Sequence, residues 1–133
     1  GIREQGGPWE QHLAARGDLG DWIEEHAPNF KTFDFYDETT RLATSAKTLD
    51  TMAVGYVRQP WRVFGALKGH IDRVDQFIEY RVSKYDIRAG AIEHRRLELA
   101  VPFESNSAQI EEINRARAYA EELGIELEVT FVR

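Results

Sequence analysis

A chain of 133 residues with 42% hydrophobic content and a net charge of −6 has the size and make-up of one globular domain, and its apolar share argues against disorder. The absence of cysteine excludes disulfides and thiolate zinc sites, and no apolar run is long enough to cross a bilayer. Charge is unevenly spread: residues 1–57 hold 5 Lys/Arg against 10 Asp/Glu, residues 58–96 hold 9 against 5, and residues 97–133 hold 3 against 8. A basic middle third on an acidic domain is the pattern of a polyanion-binding face, and equally of solvated surface charge. The N-terminus lacks a basic-then-apolar leader, and a start at Gly1 reads as a piece of something longer.

Gly6-Gly7-Pro8 leads into a helix predicted over Trp9 to Arg16, with Pro8 at the first helical position, where its missing amide hydrogen is not needed. Glu10 falls in the first turn, where a carboxylate favours the helix dipole. A second helical piece is expected from Leu19 to His26, with Leu19, Trp22 and Ile23 on one face, ending before Pro28.

Residues 31–50 read as a β-hairpin. Period-two alternation over Thr32 to Tyr36 sets Phe33 and Phe35 on one face and Asp34 and Tyr36 on the other. After a turn at Asp37 to Thr40, Arg41 to Leu49 alternates again and places Ala43, Ser45 and Lys47 together. If the register sets that face beside Asp34, an acid, a hydroxyl and an amine converge, which suits metal-assisted phosphodiester hydrolysis. An acid and an S-x-K on adjacent strands also describes a surface ion pair.

Thr51 to Arg58 carries no clear pattern and reads as loop or irregular helix. Gln59-Pro60 then opens a helix whose Phe64, Leu67, Ile71, Val74 and Ile78 form a buried stripe, with Arg62, Lys68 and Arg73 off it as candidate phosphate contacts. Two strands, Glu79 to Ile87 and Ile92 to Val101, are expected around a turn at Arg88 to Ala91. Asn106 with Gln109 signals a capping box, Ile110, Ile113, Ala116, Ala120 and Leu123 form the inward face, and Gly124 ends that helix. Ile125, Leu127, Val129 and Phe131 alternate in a closing strand. Strand, helix, strand with short joints implies a right-handed crossover, so the sheet is mixed.

This order of elements resembles the PD-(D/E)xK nuclease core: an α/β fold with a mixed sheet flanked by helices, here over a single domain, residues 1–133. The stretches PWE, NFKTFDFYD, TSAKTLDT, LKGHID and LAVP followed by INRARAYAEELGI look like the C-terminal toxin domains of CdiA-type contact-dependent growth inhibition proteins, in the branch that cleaves tRNA. The resemblance implies an active-site set of Glu10, Asp34, Ser45 and Lys47. Asp34 and Glu10 would bind a divalent cation, most simply Mg2+, and Lys47 would position water or face transition-state charge. Ser45 stands where the family pattern usually has a second carboxylate, which argues against a two-metal arrangement. Asp37 and Asp50 are supplementary ligand candidates or turn residues.

RNA supplies its own 2′-hydroxyl, so acid–base groups without metal are a further route, with His12, His26, His70 and His94 as candidates and His70 nearest the basic helix. The resemblance further implies a tRNA substrate, a cognate CdiI-type immunity protein, and display at the cell surface within a larger secreted protein, with delivery to the target-cell cytoplasm. The alternatives are a DNA endonuclease on the same core and a non-enzymatic acidic immunity or interaction module.

Overall fold

The computed structural model describes residues 6–82 and 84–133. In chain order these form α1 (Gly6–Arg16), β1 (Asp21–Trp22), β2 (Phe35–Asp37), β3 (Leu42–Thr48), α2 (Val54–Arg58), α3 (Trp61–Gln76), β4 (Glu79–Val82), β5 (Tyr85–Arg88), β6 (His94–Pro102), α4 (Ser107–Glu122) and β7 (Ile125–Val132). Five strands make one mixed sheet in the order β1-β2-β3-β6-β7, with β1, β2 and β3 antiparallel and β3, β6 and β7 parallel. None of the helices is long and apolar enough to cross a membrane among the described residues.

The sheet separates two cores, as a pleated strand with opposed faces requires. Against one face, α3 and α4 bring Val63, Leu67, Ile71, Val74, Ile113, Ala116 and Ala120 onto Ala43, Leu97, Leu99 and Leu127. Against the other, α1 brings Trp9 and Leu13 onto Phe35, Leu42 and Ala100. The alternation expected in β3 therefore divides it cleanly, with Ala43, Ser45 and Lys47 toward α3 and Leu42, Thr44 and Ala46 toward α1. The expected cap of α4 is present in full: Asn106 Oδ1 accepts from the Gln109 amide at 3.0 Å, and Gln109 Oε1 accepts from the Asn106 amide at 2.9 Å.

Four expectations are corrected. The piece from Leu19 to His26 is not a helix. Gly20, at φ +83, passes so close to β2 that an added Cβ would lie 2.5 Å from Asp37 Cα, and the chain runs straight into the edge pairing of β1 with β2 before a 3-10 turn at Ile23–Glu25. Phe33 and Phe35 do not share a face. Thr32 takes a left-handed φ of 70 and β2 begins only at Phe35, so strict alternation fails and the two rings enter different cores. Ile78 lies beyond the end of α3 and is exposed, while Val63 fills the stripe instead. Residues 79–88 do not pair with the strand that follows. They fold back on themselves as the separate β4–β5 hairpin, and β6 is drawn into the main sheet because Leu97, Leu99, Ala100 and Val101 bury both its faces between β3 and β7.

Candidate active site

Asp34 occupies the residue immediately before β2, directly across from Ser45. Its amide donates to Thr44 O at 2.9 Å, and its Oδ2 accepts from the Ala46 amide at 2.7 Å. The regular β3 ladder thus fixes the carboxylate from its own backbone, beside the strand that carries Ser45 and Lys47. Ser45 is buried, and Lys47, two residues on, remains partly open.

Glu10 reaches the same place from the opposite layer. Because α1 spans Gly6–Arg16, Glu10 sits past the first turn, so the helix dipole does not account for it. Its Oε1 accepts from Trp22 Nε1 at 2.9 Å, an anchor on β1 that aims the carboxylate across the short sheet edge. A cavity of about 150 Å³ is lined by Glu10, Glu24, Asn29 and Asp34 over apolar Ile23 and Phe33. Burial raises the Asp34 carboxyl from 3.8 to about 7, with the charges of Glu10 and Glu24 pushing the same way and the Ala46 amide and Lys47 opposing. A buried carboxyl that shares a cavity with two other acids concentrates negative charge there, and a hard cation relieves it. The donor set fits a cation of high hydration: two carboxylates converge, while no group of three Asp, Glu or His side chains suited to a metal exists among the described residues.

On the α3 side, His70 feels the Lys47 charge. Burial first, then Lys47 and Arg73, lowers it from 6.5 to about 4, so the imidazole is neutral. Arg73 Nη2 meets His70 Nδ1 at 2.7 Å; arginine can only donate, so the nitrogen accepts. The other histidines lie elsewhere: His12 stacks on Trp9, His26 on Tyr85, and His94 lines a different cavity.

The basic candidates divide. At 3.6 residues per turn, roughly 100° per residue, Arg62, Gly69 and Arg73 fall within about 40° of one another, whereas Lys68 lies roughly 100–140° from them round the helix. Lys68 pairs with Asp72 at 2.8 Å and lies over the Tyr119 ring of α4, away from Lys47. Arg62 lies over Tyr56. Asp37 and Asp50 hold turns, accepting from the amides of Thr39 and Thr40 and of Met52 respectively. Glu24 escaped the sequence reading because it was assigned to a helix; only the 3-10 turn after β1 aims it at the cavity.

The match to a family model described as the CDI toxin restriction endonuclease-like domain spans residues 5–130. Over all 133 residues the chain is 35% identical to Deoxyribonuclease CdiA-o11 of Escherichia coli O157:H7 (strain EC869) and 34% identical to Deoxyribonuclease CdiA of Yersinia pseudotuberculosis serotype O:3 (strain YPIII). It spans 34% and 12% of the lengths of those relatives. A solved CdiA-CT/CdiI toxin and immunity complex from Yersinia pseudotuberculosis superposes with a TM-score of 0.81 at 32% identity, covering 95% of this chain and 99% of that one. Both curated relatives are named deoxyribonucleases, so the expected tRNA-cleaving branch gains no support and the DNA alternative is favoured. A mixed five-stranded sheet flanked by helices, together with a family match along nearly the whole chain, places this protein in the CDI toxin restriction endonuclease-like domain family.

Proposed function

We propose that this domain is the toxin nuclease of a contact-dependent growth inhibition protein and that it cleaves DNA by metal-assisted phosphodiester hydrolysis. The observation that carries the reading is that Glu10 from α1 and Asp34 from the start of β2 line one cavity, with the charge of Lys47 on β3 acting on Asp34. Asp34 and Glu10 would hold the divalent cation, with Mg2+ the first to test. When bound, such an ion polarises a phosphoryl oxygen and makes a bound water more acidic.

The chain's own groups do the rest. The Ala46 amide holds Asp34 in one orientation, and Trp22 does the same for Glu10, so neither carboxylate must reorganise during the reaction. Lys47 brings a positive charge to the pentacovalent phosphorus, where negative charge grows as water oxygen bonds to phosphorus and the bond to the leaving sugar oxygen breaks. Ser45, buried behind Lys47, adds no charge. Neutral His70 adds none either, which leaves the Lys47 ammonium as the cation nearest Asp34. Arg62 and Arg73 extend the positive surface along α3 for the flanking phosphates.

The partner reading follows from the neighbour of known structure, which is a toxin with its immunity protein. A cognate immunity protein for this chain is part of the proposal, as is its carriage within a larger surface protein and delivery to a target cell. The test is incubation of the purified domain with supercoiled plasmid and with total tRNA, each with Mg2+ or with chelator. Metal-dependent nicking of plasmid with intact tRNA is the expected outcome. Cleavage of tRNA alone would restore the original expectation, and cleavage of neither would return the domain to the class of binding modules.

A further inference from the structure

Across 52–61 the chain leaves Met52, Val54, Val57 and Trp61 exposed, with Trp61 at 62%. These are the residues that follow β3 directly, so the patch is joined to Lys47 by a short stretch, and a cavity of about 400 Å³ lined by Thr48, Asp50, Ala53 and Tyr56 runs between them. Two arginines border the patch, Arg58 and Arg62, and neither has a carboxylate partner among the described residues, while Arg16, Arg41, Arg88, Arg96 and Arg115 are ion-paired. A Cβ on Gly55 would lie 3.0 Å from Arg62 Nη1, so the bare glycine leaves room for the guanidinium over Tyr56.

An exposed indole flanked by unpaired guanidiniums has the chemistry of a DNA wedge. Phosphates satisfy the arginines, and an apolar side chain inserted at a base step is shielded from water by the bases it parts. Building on the nuclease reading, we propose that Trp61 inserts at a base step of the duplex beside the cleavage site, with Arg58 and Arg62 on the adjoining phosphates. Trp61 opens α3, downstream of β3 and Lys47, which sets such a wedge to one side of the cleavage site. A wedge there favours sequences that unstack easily, namely pyrimidine–purine steps, and is thus a source of sequence preference.

The test measures binding of a short fluorescein-labelled DNA duplex by anisotropy in chelator, across a salt series, for the wild type, Trp61→Ala, Trp61→Phe and Arg58→Ala. Cleavage positions on plasmid are then mapped by sequencing with Mg2+ present. Trp61→Ala should weaken binding about 5- to 150-fold, the range of one lost base–aromatic stack, without altering the salt slope, and Trp61→Phe should recover most of it. Arg58→Ala should reduce the slope by about 0.9, one phosphate contact. Wild-type cuts should lie at a constant offset from pyrimidine–purine steps, and Trp61→Ala should lose that bias.

Unchanged affinity and cut pattern in Trp61→Ala, with plasmid cleavage still abolished by Lys47→Ala, would overturn the wedge and leave the nuclease reading intact. So would a Trp61→Ala variant that loses only its affinity for the immunity protein. A wild-type domain that neither binds nor cuts DNA would overturn both.

Discussion

Replacing Asp34 by Asn should make the protein more stable at neutral pH, and the gain should vanish in acid. The folded carboxyl is held at about 7 against 3.8 in a free chain, chiefly by burial. A group raised in this way contributes its full stability below the unfolded value and loses it as pH rises through the folded one. At about 1.4 kcal/mol for each tenfold change in proton affinity, ionised Asp34 lowers wild-type stability by ~4 kcal/mol at about pH 8. Asparagine keeps an oxygen to accept from the Ala46 amide and carries no charge, so the penalty disappears. Urea unfolding followed by circular dichroism should show Asp34→Asn above the wild type by ~4 kcal/mol near pH 8, with the gap closing toward pH 4. Titrating groups that do not interact with Asp34 are common to both proteins and drop out of the difference. The same variant probes the cation site without reference to catalysis: Mg2+ near pH 8 should stabilise the wild type, whose carboxylates it neutralises, and leave Asp34→Asn nearly unmoved. A gap that is absent near pH 8, or constant from acid to neutral pH, would refute the argument that burial and the neighbouring carboxylates dominate this site.

Lys47→Ala should lower plasmid cleavage by about 100-fold or more, the scale of a lost charge-stabilising contact, with an unchanged far-UV spectrum; cleavage within a few-fold of wild type would remove Lys47 from the site. Gly20→Ala should cost about 1–3 kcal/mol and loosen the β1–β2 edge, because its φ is +83 and the added carbon meets Asp37 Cα at 2.5 Å; hydrogen exchange at Trp22 is the readout. Gln109 is fully buried, and its Nε2 donates to Thr51 O at 2.6 Å just beyond β3. Gln109→Ala should cost about 1–3 kcal/mol in urea unfolding by leaving that carbonyl unpaired, and it should disorder residues 49–53 in amide spectra.

How much of this was visible beforehand depended on how local the cause was. The S-x-K arm was legible because β3 is seven residues of regular strand, long enough for period two to assign Ser45 and Lys47 to one face. The capping box of α4 was legible for the same reason, since Asn106 and Gln109 satisfy each other without help from the rest of the chain. Leu19 to His26 misled because its apolar spacing suits a helix, while its actual path is set by Gly20 against Asp37, seventeen residues away in sequence. Ile78 misled because a stripe extrapolated past Gln76 does not register where the helix stops. Lys68 was grouped with Arg62 and Arg73 on charge alone, and the presence of Asp72 and Tyr119 beside it is a fact about helix packing.

The sequence by itself determined that this is an α/β domain with a strand bearing a hydroxyl and an ammonium on one face, and a closing strand-helix-strand unit, because alternation, capping and short joints act between near neighbours. Only the tertiary structure decided that β6 lies between β3 and β7, that Trp22 turns Glu10 toward Asp34, and that Glu24 joins them. Those outcomes follow from burying both faces of one strand and from closing α1 over a sheet edge, and such long-range packing leaves no periodic trace in the residues it brings together.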